Sequence, residues 1–420
     1  MEPVFEEWNV YAKKKELLPR MLDLNRLISD SNLKIVGVTG IRRSGKSSIL
    51  MLLLQKLQGD GKKAAYVNLE DSRISDKGDI LDGLIKWFGD SGFLLLDEVT
   101  SVGDWEGWLA RNHELLKGRL HLIVSSSRAT LSTPSKPLRG RVLSYEVYPL
   151  SFKEFLQFSG IGVEHTTAGI GRLERALNEY LDYGGFPEAV LLKDKTDKVR
   201  LLDSYFRDII GLDVAETSGE NISTVELFGK YVIETSYFSA SKCLNFFKSL
   251  GHKIGKQSIL NLEKHSQEGY LFFFVPIFSH NIKDRTQYPR KAYLGDTGFM
   301  RAVRGKTDMG RLFENAVFLE LMRCKTATQK IYYWRNKDGS ESDFVITEGL
   351  KVKKIIQVTS ELENEKTKER ETHGLIQCAK EAGPKEGLII TKDKEGREEI
   401  EGIKIKYVTL WKWLLEKKEN

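Results

Sequence analysis

Between residues 34 and 147, short unbroken apolar runs alternate with stretches of helical periodicity. The runs occupy residues 34–39, 64–69, 93–96, 120–124 and 141–147. Apolar runs of this length, separated by helical patterns, are typical of strands that are buried on both faces of a parallel sheet. The pattern therefore predicts an α/β fold in which helices cover both faces of a parallel sheet.

The periodicity changes three times further along the chain. Residues 1–150 are predicted to hold a helical N-terminal arm, over residues 1–33, and the sheet domain. The pattern over residues 151–220 is helical, and it predicts a helical lid beside the sheet. Residues 221–305 contain two short helices followed by two strands, which is the order of a winged helix. Residues 306–420 predict a further α/β domain that begins with a strongly periodic helix.

The end of the first strand carries the most specific motif. The segment Gly40-Ile41-Arg42-Arg43-Ser44-Gly45-Lys46-Ser47 matches G-x-x-x-x-G-K-[ST] at every fixed position. Glycines allow a tight turn whose N–H groups surround phosphate oxygens, and the helix that follows adds partial positive charge. A chance match in a strand-to-helix turn is the alternative, but a strand precedes and a helix follows, as a phosphate loop requires.

The phosphate loop assigns roles to individual residues. Lys46 is expected to reach the β- and γ-phosphates, and the Ser47 hydroxyl to bind Mg²⁺. The predicted nucleotide-binding residues are Gly40, Arg42, Arg43, Ser44, Gly45, Lys46, Ser47 and Ser48.

Two acids follow the third apolar run directly, at Asp97 and Glu98. Ligands of parallel sheets sit at the carboxyl ends of the strands. Asp97 is therefore predicted to hold Mg²⁺ and Glu98 to orient and deprotonate an attacking water. A core strand that ends in a solvated acidic turn is the alternative. A carboxylate directly after the metal-binding acid favours a hydrolase over a kinase.

Two further residues are candidates for the catalytic set. Ser125 and Ser126 form the polar end of the fourth strand, where a serine, with Ser126 as the candidate, is predicted to help hold the attacking water, although hydrogen bonds within a turn explain this polar end equally well. Arg141 is a candidate to contact the γ-phosphate in its own chain or from a neighbouring subunit. The alternative for Arg141 is a solvated position on a strand edge.

Composition narrows the class of protein. Hydrophobic residues make up 40% and charged residues 30% of the 420 residues, so the chain can bury several cores. The three cysteines are widely spaced and predict neither a disulfide framework nor a metal site. The longest apolar stretch has nine residues, 270–278, where a membrane span needs about twenty. With no secretory signal at its start, the chain is predicted to be soluble and cytoplasmic.

The predicted winged helix is a candidate for nucleic-acid binding. Its second helix begins near Lys253, Lys256, Gln257 and Ser258 and carries Asn261, residue types that suit phosphate and base contacts. The alternative is a winged helix used for protein contacts, because no dense basic stripe accompanies these residues and the net charge is only +6.

Taken together and in order, the motifs resemble an archaeal and bacterial family of ATPases of the AAA+ superfamily. Its members join an ATPase core and lid to a winged helix and a C-terminal domain like the PD-(D/E)XK nucleases. The resemblance covers nearly the full length. It implies ATP as the nucleotide, ATP hydrolysis and association with DNA. The residues that carry it are Gly40–Ser47, Leu96–Glu98, Arg139–Arg141, Pro149–Phe152, Gly184–Pro187, Tyr293–Gly298, Leu312–Asn315 and Asp343–Ile346.

The C-terminal domain lacks part of the nuclease chemistry. Glu314 and Asp343 match two of the metal-binding carboxylates of a PD-(D/E)XK core, but Gln357 and Thr359 stand where Glu and Lys are needed. Gln is a poor metal ligand and Thr carries no charge to stabilise the breaking phosphodiester. The nuclease activity is therefore predicted to be lost. The alternative is that Glu361, slightly downstream, takes the place of the missing metal-binding carboxylate.

Three function classes follow. The first is an Mg²⁺-dependent ATPase that acts with or on DNA. The second is a regulatory ATP switch with protein partners or a homo-oligomer, and the third is an ATP-controlled nuclease. DNA binding that weakens with salt separates the first class from the second.

Overall fold

The computed structural model describes residues 1–74, 79–133, 135–362 and 365–416. It divides the chain into two compact units. The first unit comprises Met1–Tyr148 with Glu268–Tyr270, and the second comprises Pro149–Gln267 with Leu271–Asn420. The finer division into four domains stays a prediction. No helix among the described residues is both long enough and apolar enough to cross a membrane.

The first unit alternates strands and helices, as its apolar pattern predicts. Its helices are α1 (Glu2–Lys14), α2 (Leu24–Ser31), α3 (Lys46–Gly59), α4 (Ile80–Phe88) and α5 (Trp105–Leu115), with single 3₁₀ turns at Val99–Ser101, Ala129–Leu131 and Lys136–Leu138. Its strands are β1 (Ile35–Thr39), β2 (Ala64–Asn68), β3 (Gly92–Asp97), β4 (Leu120–Ser126) and β5 (Val142–Glu146).

These five strands form one parallel sheet in the order β2-β3-β4-β1-β5. The predicted α/β fold with a parallel sheet is confirmed. Strand β4 separates β1, which leads into the phosphate loop, from β3, which ends in Asp97. Because all strands run the same way, the loop and the acidic strand end lie at one edge of the sheet.

Alternate residues of strands β1 to β4 enter two different cores, whereas β5 is largely exposed. On β3, Leu94 and Leu96 pack into one apolar cluster with Trp108, while Leu95 packs into the other with Leu54 of α3. Side chains alternate between the faces of a strand, so a strand covered on both faces must be apolar at every position. This is why strands β1 to β4 appear in the sequence as continuous apolar runs.

The N-terminal arm differs from its prediction. In place of one helical arm over residues 1–33, the structure has α1 and α2, separated by residues 15–23. Pro19 lies in this break, and the residue before a proline is disfavoured in a helix. Asp23 then caps α2 by accepting a hydrogen bond from the Arg26 amide at 3.1 Å.

The second unit contains most of the helices. They are α6 (Phe152–Phe158), α7 (Thr167–Tyr183), α8 (Pro187–Leu191), α9 (Lys195–Asp208), a π-helical turn Ile209–Ala215, α10 (Glu216–Ser218), α11 (Ile222–Glu234), α12 (Ala240–Ser249), α13 (Lys256–Glu268), α14 (Ile282–Gln287), α15 (Gly298–Arg304), α16 (Met309–Cys324), α17 (Glu365–Ala382) and α18 (Leu410–Leu415).

The strands of this unit form two sheets. They are β6 (Tyr237–Phe238), β7 (Phe272–Val275), β8 (Arg290–Leu294), β9 (Gln329–Arg335), β10 (Glu341–Glu348), β11 (Lys351–Val358), β12 (Glu386–Thr391), β13 (Gly396–Ile400) and β14 (Ile403–Thr409). The small sheet has the order β6-β8-β7, and the large mixed sheet has the order β13-β14-β12-β11-β10-β9. The predicted hairpin of β10 and β11 is confirmed.

Candidate active site

The loop between β1 and α3 has a backbone that two glycines make possible. Gly40 has φ 147° and Gly45 has φ 97°, both in the range that favours glycine. A Cβ atom at Gly40 would lie 1.9 Å from the carbonyl oxygen of Val147, so no other residue fits there. The glycines thereby fix the turn that directs the loop into the first turn of α3.

The donors of this loop suit a phosphate group. Helix α3 begins at Lys46 with no side-chain cap, so the amides of its first turn have no partner within the helix. The Ser44 hydroxyl is buried, and none of the described residues forms a hydrogen bond with it. The loop residues predicted to bind the nucleotide are therefore arranged as an anion site.

Lys46 and Glu98 form a buried ion pair at the carboxyl edge of the sheet. Lys46 Nζ lies 3.4 Å from Glu98 Oε1, and it also donates to the Ile41 carbonyl oxygen at 3.3 Å. The exposed fraction of the residue is 4% for Lys46 and 8% for Glu98. The predicted phosphate-binding lysine and the predicted base are thus in direct contact.

Asp97 is held by hydroxyl groups from three elements. Ser125 of β4 donates to Oδ1, Tyr66 of β2 donates to Oδ2 at 2.8 Å, and Ser47 of α3 is also hydrogen-bonded to the carboxylate. Burial, and after it the charge of Glu98, raises the pKa of Asp97. A carboxylate beside a serine hydroxyl supplies the oxygen ligands that Mg²⁺ prefers, so Ser47 and Asp97 fit this ion.

Glu98 is constrained in both backbone and side chain. Its φ of 48° is unusual for a residue other than glycine and is a form of strain found at functional sites. The Ser127 amide donates to Glu98 Oε2 at 2.9 Å. Burial alone would raise the pKa of Glu98, but the charges of Lys46 and Arg42 outweigh it and lower the pKa. Glu98 is therefore kept ionised.

The other loop residues predicted to bind nucleotide lie at the surface of the site. Arg42 forms an ion pair with Glu70 at 2.9 Å, and Arg43 is exposed with φ 69°. Ser48 is half-buried in the first turn of α3.

The two remaining catalytic candidates have different positions. Ser126 lies beside Thr39 at the carboxyl edge, where its hydroxyl contacts the Thr100 hydroxyl at 3.3 Å and accepts from the Arg128 amide at 3.1 Å. Arg141 instead precedes β5, and its carbonyl oxygen accepts from the Ile35 amide at the opposite edge of the sheet.

The position of Arg141 contradicts the prediction that it contacts the γ-phosphate in its own chain. At about 3.3 Å per residue, the length of β1 puts it roughly 15 Å from the phosphate loop. Its guanidinium bonds the Pro137 carbonyl oxygen at 3.1 Å and lies 3.6 Å from a Glu114 carboxylate oxygen. Arg141 therefore does not belong to the site of its own chain, and a role from a neighbouring subunit stays a prediction.

Two residues near the site, Tyr66 and Arg20, were missed by the sequence interpretation, and the contact of Ser125 with Asp97 was not foreseen. Ser125 and Tyr66 hold Asp97, and Arg20 donates to the Ser44 carbonyl oxygen at 2.6 Å and to the Tyr148 carbonyl oxygen at 3.0 Å. Ser125 was predicted, together with Ser126, to lie at the polar end of β4, but not to contact Asp97. Tyr66 and Arg20 gave no local signal, because the contact of Tyr66 spans 31 residues and those of Arg20 span 24 and 128 residues.

The carboxylates predicted from the nuclease pattern also come together, in the second unit. Glu314 of α16 and Asp343 of β10 both contact Lys291 of β8. Gln357 and Glu361 line the same cavity of about 870 Å³. Thr359 accepts a hydrogen bond from the Glu361 amide at 3.3 Å. With Lys291 among them these carboxylates are not arranged to hold a metal ion, and neither is any other group of three or more His, Cys, Asp and Glu side chains in the described part of the chain.

Three regions of the chain match known protein families. Residues 32–156 match the family described as AAA domain. Residues 174–310 and 309–413 match two families described as domains of unknown function, DUF8612 and DUF4143.

Two solved structures show a partial likeness to this chain. The AMPPCP-bound DnaA of Aquifex aeolicus is 15% identical with a TM-score of 0.28, over 58% of this chain and 82% of that one. A signal transduction ATPase with numerous domains and a tetratricopeptide repeat sensor, from Pyrococcus horikoshii, is 14% identical with a TM-score of 0.28, over 75% of this chain and 47% of that one.

Two relatives in sequence match this chain almost from end to end. An uncharacterized protein of Haemophilus influenzae is 26% identical over 94% of this chain and 99% of its own length. The uncharacterized protein MJ1544 of Methanocaldococcus jannaschii is 32% identical over 96% of this chain and 92% of its own length. The chain therefore belongs to the family of MJ1544, and its residues 32–156 carry an AAA-type P-loop ATPase domain.

Proposed function

We propose that the protein is an Mg²⁺-dependent ATPase of the AAA+ type. The observation that carries this proposal is the meeting of Lys46, Ser47, Asp97 and Glu98 at one edge of the parallel sheet. A phosphate loop alone binds a nucleotide. A buried carboxylate next to the metal-binding acid adds a group that can activate water.

Each residue has a role that its contacts support. The loop amides and Lys46 would bind the phosphates of ATP, and Ser47 with Asp97 would hold Mg²⁺, which neutralises charge on the β- and γ-phosphates. Glu98 is expected to orient the attacking water and to accept its proton on the carboxylate. Ser125 and Tyr66 keep Asp97 in one orientation.

The Lys46–Glu98 ion pair supports a link between nucleotide binding and the basicity of the Glu98 carboxylate. Lys46 is the largest of the charges that lower the pKa of Glu98. When Lys46 turns towards phosphate, its attraction for the Glu98 carboxylate weakens, and the pKa of Glu98 rises. Glu98 then becomes a stronger base only while a nucleotide is bound.

The same pair is the observation that favours a regulatory ATP switch as a second candidate. An ion pair that nucleotide must break gives the site two states, and a partner protein or a second copy of the chain can bind one of them selectively. In that case turnover is slow and does not respond to DNA.

DNA is the partner that we propose for the first candidate. Lys253, Lys256 and Gln257 are exposed around the start of α13, the second helix of the proposed winged helix. Exposed basic and amide side chains at a helix start can contact phosphates and base edges. Helices α6 to α9 are proposed as the lid, and residues 306–420 as a nuclease-like domain without nuclease activity.

Steady-state ATP hydrolysis of wild type and Glu98→Gln tests the proposal. We expect Glu98→Gln to lower kcat by about 100-fold or more, because general base catalysis contributes about 10²–10⁴-fold. The affinity for ATP should change little. Glu386→Gln, a matched change of an exposed carboxylate at the start of β12 and outside the proposed site and lid, should leave the rate unchanged.

The outcome separates the candidates. Turnover that rises with single- or double-stranded DNA supports the first candidate, and slow turnover that ignores DNA supports the switch. If Glu98→Gln hydrolysed ATP as fast as wild type, Glu98 would not be the base.

A further inference from the structure

A buried lysine in the second unit is surrounded by three carboxylates. Lys291 Nζ lies 2.8 Å from Glu314 Oε1, 2.6 Å from Glu341 Oε1 and 2.6 Å from Asp343 Oδ1. Only 5% of the Lys291 side chain is exposed. The four residues come from β8, α16 and β10, so three separate elements meet at this ammonium group. This group of residues is called the Lys291 cluster below.

The geometry of the cluster is that of a cation site. An ammonium group has three hydrogens, and here each of three carboxylates accepts one of them. Carboxylate oxygens that converge on one point are also the donor set of a hard divalent cation. Such an ion would sit about 2.0–2.6 Å from the same oxygens, which is the space that the ammonium fills. The two cations therefore exclude each other.

The neighbouring groups are committed to other contacts. The second oxygen of Asp343 accepts from the Val358 amide at 2.8 Å. Gln357 Oε1 accepts from the Asp343 amide at 3.1 Å, and its Nε2 donates to Glu371. The Tyr293 hydroxyl donates to Glu314 Oε1 at 2.5 Å. These bonds hold the carboxylates in place around Lys291 and do not add a ligand for a metal.

Buried charge explains why the lysine is needed. Three carboxylates brought together without a counter-ion would repel each other strongly in the interior of the protein. Lys291 supplies a positive charge that is part of the chain, so the cluster is complete at any concentration of divalent ions.

We propose that Lys291 is a built-in cation that occupies a divalent-metal position formed by Glu314, Glu341 and Asp343. The natural chain excludes Mg²⁺ and Mn²⁺ from this position, and removal of the ammonium converts the cluster into a site for one divalent ion. This inference is independent of the proposed ATP hydrolysis, because the nucleotide residues lie in the first unit. It provides a reason, beyond Gln357 and Thr359, why the carboxylates do not serve a nuclease.

The test measures Mn²⁺ binding to the full chain without nucleotide, by electron paramagnetic resonance. Wild type, Asp343→Asn, Lys291→Met and the double variant Lys291→Met with Asp343→Asn are compared. Any Mn²⁺ held at the nucleotide site contributes equally to all four. We expect one additional Mn²⁺ in Lys291→Met, bound at least tenfold more tightly than any ion at the cluster of wild type. The double variant should lose it.

A second measurement covers the case in which Lys291→Met folds poorly. Mn²⁺ should raise the Tm of Lys291→Met and leave that of the double variant unchanged. If Lys291→Met does not fold, Lys291→Met with Glu341→Gln removes one carboxylate and keeps Glu314 and Asp343 as ligands. This variant should then bind the additional Mn²⁺ while wild type does not.

Three results would overturn the proposal. One is an additional Mn²⁺ in wild type that Asp343→Asn removes, and another is a folded Lys291 variant that binds no additional ion. The third is cleavage of DNA by wild type with Mn²⁺ that Lys291→Met abolishes. That result would make Lys291 a catalytic group beside a metal instead of its substitute.

Discussion

At the scale of single residues, the site contains two adjacent acids with opposite properties. Burial raises the pKa of Asp97, whereas the charges of Lys46 and Arg42 lower the pKa of Glu98 despite its burial. In many active sites, two neighbouring carboxylates have different pKa values because their environments differ, and the two acids then have different chemical roles. Burial and the charge of Glu98 outweigh the hydroxyls that lower the pKa of Asp97, whereas the cations around Glu98 outweigh its burial, and this difference separates the two pKa values.

Ser125 is predicted to be the more important of the two serines at the end of β4. Its hydroxyl donates to Asp97 and accepts from the Glu98 amide at 2.9 Å. Ser125→Ala leaves both groups without this partner, so we expect a loss of about 1–3 kcal/mol in the free energy of unfolding. Loss of a group that orients a metal ligand should also lower Mg²⁺-dependent ATP turnover about 10–100-fold. Urea unfolding and steady-state kinetics measure the two effects.

Ser126→Ala is the matched comparison, one residue along the same strand. The Ser126 hydroxyl contacts the Thr100 hydroxyl and the Arg128 amide and touches neither acid. The losses in unfolding free energy and in ATP turnover should therefore be clearly smaller for Ser126→Ala than for Ser125→Ala. Equal losses in the two variants would restore Ser126 as a catalytic candidate. The sequence alone could not separate the serines, because the choice depends on the register in which Leu96 of β3 pairs with Val124 of β4.

At the scale of elements, a buried carboxylate joins two helix ends that are distant in sequence. Asp296 accepts hydrogen bonds from the Gly185 amide at 2.8 Å, between α7 and α8, and from the Gly298 amide at 2.9 Å, at the start of α15. A Cβ atom at Gly184 would lie 1.6 Å from Asp296 Oδ1, so the close approach requires glycine. The glycines predict the helix break from sequence, but not the partner 111 residues away.

The stability of these joined elements should depend on pH through Asp296. Burial raises the pKa of Asp296 from 3.8 to about 7. A group with a raised folded-state pKa contributes stability that is fully present below the unfolded pKa and is lost as pH rises through the folded pKa. We therefore expect the free energy of unfolding of wild type, relative to Asp296→Asn, to fall by about 1–3 kcal/mol between pH 5 and pH 8.

Urea unfolding at several pH values between 5 and 8, for wild type and Asp296→Asn, measures this difference. The asparagine does not titrate, so groups common to both proteins cancel. Parallel pH profiles of the two proteins would show that Asp296 has an ordinary pKa.

At the scale of the whole molecule, the sequence predicts the elements better than the contacts between them. The five strands of the first unit and the hairpin of β10 and β11 follow from local apolar patterns. The contact of Lys291 with Asp343 spans 52 residues and leaves no local pattern. Pairing at a distance depends on how the elements pack, and a single sequence contains no direct record of it.

The charge of the molecule bears on its proposed DNA binding. With 65 basic and 59 acidic residues, the net charge of +6 is too small to hold DNA by itself, so binding must rest on local residues. If Lys253 and Lys256 each neutralise a phosphate, Lys253→Glu with Lys256→Glu should weaken DNA binding. The slope of log affinity against log salt should also fall by about 2, at about 0.9 per phosphate contact.

A matched variant tests whether position or total charge is responsible. Lys13→Glu with Lys14→Glu changes the net charge equally, at exposed positions on α1. Fluorescence anisotropy of labelled duplex DNA at several salt concentrations measures all three proteins. Equal weakening in both variants would indicate a diffuse effect of charge, whereas loss only in the α13 variant supports the proposed winged helix as the DNA-binding surface. Wild type that binds no DNA at low salt would leave the regulatory switch as the better account, because the basic residues at α13 would then have no nucleic-acid role.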